Sequence, residues 1–236
     1  MPKTRSPLFI ALAATAGVLL LAAALVAWRL LFPSDRAARL TAMHGAPWQI
    51  ETPAPGLTRV MGLSLPGSTL AQLRLRWGGD LKVALVSQDD GRLALEGYVE
   101  RFETGGVNGR LLLSFDTSAQ AAAAAQWRDA VPGVPQPSGA RQHALGEPAI
   151  QELGAAALLG VSYIPQARLD AATVQARFGP PAARLAEGER LQHWLYPTLG
   201  LAVLMDSQGR NVLQYVAPAD FEARLAAPLK ALRPPA

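Results

Sequence analysis

Cysteine is absent from all 236 residues, which excludes disulfides, thiolate nucleophiles, cysteine-based zinc sites and any lipid attached through an N-terminal cysteine. Charged residues are sparse at 17% and aromatic ones at 6%, against a hydrophobic content of 50%. A surplus of positive charge is also lacking once the first forty residues are set aside. They hold five of the 22 basic side chains (Lys3, Arg5, Arg29, Arg36 and Arg39) and one of the 18 acidic ones (Asp35), which leaves 17 of each sign beyond them. A neutral body without a basic stripe has nothing to follow a phosphate backbone, so no nucleic-acid partner is expected.

What the chain does have is one long apolar run. From Leu8 to Trp28 there are 21 residues without a charge, enough at about 1.5 Å of helical rise each to cross a hydrocarbon core of about 30 Å. Trp28 and Arg29 suit an interface, and Pro33 ends the helix. The expectation is a single-pass signal anchor in the bacterial inner membrane, held through residues 8–32, with the C-terminal domain in the periplasm. Cleavage after the small residues Ala22, Ala23 and Ala24 is the competing reading, and it would release a secreted protein.

The rest divides by composition. Residues 1–33 form the tail and anchor, and the proline-bearing stretch 34–56 reads as a tether. Residues 57–130 form a first α+β lobe, 131–149 a Pro/Gly-rich linker, and 150–236 a second α+β lobe with a C-terminal helix. In the first lobe, Leu57–Leu65 is a predicted strand and Thr69–Trp77 a short helix closed by Gly78-Gly79. Strands follow at Leu81–Ser87, Leu93–Phe102 and Arg110–Phe115, separated by Asp90-Gly91 and by the glycine turn at 105–109. An alanine-rich helix covers Ser118–Asp129.

The second lobe repeats the outline, with a helix at Asp170–Phe178, strands at Arg190–Tyr196, Leu199–Asp206 and Asn211–Val216, and a last helix from Pro218. Leu65-Pro66 aligns with Ile164-Pro165 at an offset of 99, and Arg76-Trp77-Gly78 with Arg177-Phe178-Gly179 at 101. The fold expected is therefore α+β: two similar lobes, each a short helix packed on a three- to four-stranded antiparallel meander.

The segment Leu169-Asp170-Ala171-Ala172-Thr173-Val174, then Phe178-Gly179-Pro180-Pro181, Trp194-Leu195-Tyr196, Leu201 to Asp206 and Gly209-Arg210-Asn211-Val212, resembles the small SmpA/OmlA lipoproteins of the outer-membrane β-barrel assembly machinery. Two such units in tandem would be similar to the secreted β-lactamase inhibitory proteins. The resemblance covers about fifty residues and departs from the family in lacking the lipid-bearing cysteine. It implies a fold and a habit of binding proteins, and it transfers no catalytic residue.

Chemical motifs are scarce. None of His44, His143 and His193 has the i, i+4 spacing with a glutamate that helical zinc sites use. Gly62-Leu63-Ser64-Leu65-Pro66 lacks the second glycine of a nucleophile elbow, and Asp89-Asp90-Gly91 lacks the alternating oxygens of a calcium loop. Glu96 and Glu100 share a strand face with no mechanism attached. No catalytic, cofactor-binding or metal-binding residue is assigned. The expectation is a non-enzymatic binding or scaffolding protein of the cell envelope with an envelope protein as partner, contacted through Tyr98, Trp194 and Tyr196 if these point out of a sheet. The alternatives are a periplasmic enzyme or small-ligand receptor and, after cleavage, a secreted protein inhibitor.

Overall fold

Period-two alternation of apolar and polar side chains writes most of the strands into the chain. In Val107–Asp116, for example, Leu111, Leu113 and Phe115 are buried while Arg110, Leu112 and Ser114 are exposed, as a strand with one covered face requires. The structure, a computed structural model, describes residues 45–54 and 56–231.

A small antiparallel sheet comes first, from β1 (Ile50–Ala54), β2 (Leu57–Val60) and β3 (Leu63–Leu65). Helix α1 (Leu70–Trp77) leads into the meander β4 (Leu81–Ser87), β5 (Leu93–Thr104) and β6 (Val107–Asp116). After α2 (Ala121–Ala130), the stretch at 131–149 supplies two short strands, β7 (Val134–Pro135) and β8 (Arg141–Ala144), and the start of α3 (Glu147–Glu152). Then come β9 (Ala157–Pro165), α4 (Ala171–Phe178), β10 (Ala183–Glu187), β11 (Leu191–Tyr196), β12 (Leu201–Asp206) and β13 (Asn211–Val216). A π-helical turn, Glu222–Ala226, runs into α5 (Ala227–Ala231).

The two similar lobes expected from the sequence do not form. Strands β4 to β13 make one ten-stranded sheet in the order β10-β11-β12-β13-β9-β6-β5-β4-β8-β7, with every pairing antiparallel. The joint is β9. It pairs with β6 from Gly109 opposite Pro165 to Asp116 opposite Ala157, and with β13 from Leu213 opposite Tyr163 to Val216 opposite Gly160. Two separate meanders would each leave a row of unpaired N–H and C=O groups, and one strand between them satisfies both rows.

The helices match their sequence signals more closely. Thr69 Oγ1 accepts from the Gln72 N–H at 3.3 Å and Gln72 Oε1 from the Thr69 N–H at 3.0 Å, a complete capping box for α1. Asp170 Oδ1 accepts from the Thr173 N–H at 2.7 Å and caps α4, which has eight residues as α1 does. The strands around these helices do not repeat, because β3 joins the small sheet whereas β9 is central in the large one.

Among the described residues no helix is long and apolar enough to cross a membrane. That stands against the transmembrane helix, the signal anchor and the single-pass inner-membrane placement, and none of them is retained; the run Leu8–Trp28 that suggested them lies outside the described residues.

The main core lies between the small sheet with α1, α2, α3 and α4 and one face of the large sheet, where Leu85, Leu95, Leu111, Leu113, Tyr163 and Tyr215 are fully buried. Tyr215 Oη donates to the Pro47 carbonyl at 2.8 Å. Tyr163 Oη is buried without a partner, and burial pushes its phenol pKa up to about 12. A phenol raised in the folded chain stays protonated after the unfolded one has ionised near its usual 10, so its contribution is intact below pH 10 and is lost as pH rises through about 12. Tyr163→Phe is therefore expected to stabilise the fold at pH 7 by about 1 kcal/mol, and to make the loss of stability between pH 10 and 12 shallower, in urea unfolding followed by circular dichroism.

Candidate functional site

The register of the large sheet sorts its side chains onto two faces that are treated differently. On the core face Leu81, Val83, Leu85, Leu95, Val99 and Leu113 lie under the helices. On the other face a second apolar cluster forms over β11 to β13, where Phe221, Leu225 and Ala226 pack on Leu195, Ala202 and Val216. The half of that face built from β4, β5, β6 and β9 carries exposed Lys82, Glu96, Arg110, Leu112 and Ser114.

Two cross-strand rows define this open half. In one, Glu96 lies opposite Ser114, Ser114 opposite Gly160 and Gly160 opposite Val216. In the next, Tyr98 lies opposite Leu112, Leu112 opposite Ser162 and Ser162 opposite Gln214. The middle of the face is thus paved with short side chains. Gly160 is part of the reason: a Cβ there would stand 2.9 Å from Ser114 Oγ, so a side chain at 160 would crowd the serine beside it. Where the rows meet the C-terminal helical segment they form a groove of about 280 Å³, with Glu96, Leu112, Ser114, Ser162, Gln214 and Arg224 among its walls.

The open half continues into a cleft of about 630 Å³ at the β5–β6 hairpin, lined by Glu100, Arg101, Phe102, Asn108, Arg110 and Ile164 among others. Glu100 organises its near edge. It accepts from Tyr98 Oη and pairs with Arg110 Nε at 3.2 Å, and its proximity pushes the Tyr98 phenol pKa up.

Of the three aromatic residues expected to form a binding surface, the structure brings only Tyr98 to the open face, where it is half-buried. Trp194 and Tyr196 are each 3% exposed and belong to the core on the opposite face. Tyr196 sits against Phe178 of α4 with ring centroids 5.9 Å apart, and its Oη donates to the Gly179 carbonyl at 3.2 Å. Arg184 from the edge strand β10 covers the Trp194 ring at 4.2 Å. Leu112, which the sequence reading passed over, is the large apolar side chain that the open face exposes, at 39%. Its signal was available, since a leucine stands between Leu111 and Leu113 where alternation calls for a polar residue.

The titratable groups elsewhere hold structure together. His143, within the stretch 131–149 expected as a linker, lies in β8 and is 6% exposed. Its Nδ1 donates to the Val131 carbonyl at 2.7 Å, and its Nε2 accepts from Ser87 Oγ at 3.0 Å. The group orienting the imidazole is a neutral carbonyl, and Gly133 lies so close that a Cβ there would meet the ring at 2.7 Å. This contact fastens the turn after α2 to β4. His193 Nε2 contacts Glu187 Oε2 across β10 and β11 at 2.7 Å. Asp206 anchors the β12–β13 turn: it accepts from the Gln208 N–H at 2.9 Å, which with Arg190 and Arg210 at 3.3 Å holds its carboxyl below its usual value. His44 lies outside the described residues. Among the described residues no group of three or more His, Cys, Asp or Glu is placed to hold a metal.

Fold and site together define an antiparallel-sheet protein with one covered face and one half-open face. No family model, no curated protein and no solved structure matches the chain.

The allocation of aromatic residues is tested by substitution. Trp194→Ala is expected to cost about 3–5 kcal/mol, as for other large core truncations, while Tyr98→Ala changes stability by less than about 1 kcal/mol. Denaturant midpoints of the two variants measure the contrast.

Proposed function

We propose that this chain is a non-enzymatic protein-binding module that docks its partner on the open half of the large sheet. The observation that carries the reading is the face itself: Leu112 exposed at the centre, Tyr98 beside it and short side chains around them, on a sheet whose other face is filled. A flat surface with an apolar centre and a charged rim is what protein interfaces use, with aromatic anchors near the middle. The resemblance of residues 169–212 to the SmpA/OmlA lipoproteins supports the same habit. A receptor for a small polar ligand is the second reading, favoured by the cleft at the β5–β6 hairpin.

A photo-reactive phenylalanine analogue placed at 112 in the full-length chain is expected to give an adduct of defined mass on irradiation of cells producing the protein. The same analogue at Gln175, exposed on α4 across the core, is expected to give none. Leu112→Asp should abolish co-purification of that partner while leaving the melting temperature within about 1 °C. Absence of an adduct at 98, 112 and 164 alike would remove the reading.

A further inference from the structure

The groove beside the C-terminal helical segment carries one charge that the fold leaves unanswered. Around it the other carboxylates have partners: Glu100 pairs with Arg110 at 3.2 Å, Asp220 with Arg224 at 3.8 Å, and Asp116 accepts from the Ser118 N–H at 2.9 Å within the field of Arg224. Among the described residues Glu96 has neither an ion pair nor a hydrogen bond, and Lys82, exposed on the neighbouring strand, does not close on it. The groove walls take part of the water from the Glu96 carboxyl and push its pKa upward, while the residue stays open to solvent and within reach of a charge from outside. An unpaired carboxylate of this kind is relieved by a cation brought from outside.

The surroundings say what form that cation takes. Ser114 lies directly opposite Glu96, and beyond it Gly160 presents no side chain. Leu112 is exposed in the same groove, whose wall also holds the buried Val216 and Leu225, and gives apolar surface along which an aliphatic stem can lie. The Ser114 and Ser162 hydroxyls and the Gln214 amide are uncommitted among the described residues and can take up the remaining donors of an ammonium or guanidinium head. Arg224, in the same groove wall, pairs with Asp220 at 3.8 Å and makes no ion pair with Glu96.

We propose that the groove receives a lysine or arginine side chain of the docked protein, its stem over Leu112 and its charged head on Glu96. The inference rests on the open face being the docking surface, and it adds the chemistry of the anchor. Two measurements on the full chain separate the two ideas. In the first, N-acetyl-arginine methylamide is titrated against the uncharged N-acetyl-citrulline methylamide while backbone amide resonances are followed. Saturable shifts at Glu96, Ser114, Gly160 and Ser162 are expected with arginine only, and are expected to vanish in Glu96→Gln. Equal shifts with citrulline, no shifts at all, or shifts that survive Glu96→Gln would overturn the proposal.

In the second, the photo-adduct formed from position 112 is quantified in variants at 96. Glu96→Gln is expected to lower its yield about fivefold and Glu96→Asp to retain most of it, with both variants folding as the parent does because a carboxylate disfavoured by its surroundings adds nothing to stability. An undiminished adduct in Glu96→Gln would sink the lysine or arginine anchor and leave the docking face standing, whereas no adduct in the parent chain would sink both.

Discussion

The structure depends on β9 being hydrogen-bonded along both of its edges. An antiparallel meander closes its own internal ladders and leaves two outer rows of peptide groups, each of which costs free energy if buried and invites aggregation if exposed. By lying between β6 and β13, β9 removes one such row from each half and turns two sheets into one. Its own side chains fit the position. Leu158, Val161 and Tyr163 go into the core, while Gly160 and Ser162 stay low on the far face.

A single wide sheet has consequences for its two sides. The core face is filled by the small sheet and four helices, but the far face has only the C-terminal helical segment. Residues Glu222–Ala231 rise about 15 Å, so even laid across the strands they reach about three of them at about 4.8 Å apiece. The remaining area is open because nothing in the described chain is long enough to cover it. The sheet's outer edges, by contrast, are guarded. At one end β7 has two residues, one of them Pro135, and at the other β10 exposes Arg184. Strand pairing at the edges is thereby discouraged, while the open area lies on the face.

Local elements were legible in the sequence and their assembly was not. Gly78-Gly79 marked the end of α1 and Asp170 and Gly179 the two ends of α4, and the alternating leucines of β4 to β6 and β11 to β13 stood out. The strand that joins them did not. The alternation in Ala157–Pro165 is between leucine, valine or tyrosine and residues as small as Gly160 and Ser162, and no turn signal ties it to β6 or β13. The proline- and glycine-bearing stretch at 131–149, read as a linker, contains β7 and β8, which extend the large sheet beyond β4. The candidate site divides in the same way. Tyr98, Trp194 and Tyr196 form one surface only if all three point out of a sheet, and period alone does not say which way a strand faces: Tyr98 reaches the open face, while the register of β11 on β12 turns Trp194 and Tyr196 to the side that α4 covers.

By itself the sequence determined the neutral, cysteine-free chemistry beyond residue 40 and the positions of most helices and strands, because caps, turns and side-chain period act within a few residues. Tertiary structure alone decided that β9 unites the halves, which aromatic side chains are core, and that Leu112 and Glu96 lie open together. Those outcomes depend on which strand edge meets which and on how far a helix reaches across a sheet, and both are set by contacts between residues distant in the chain.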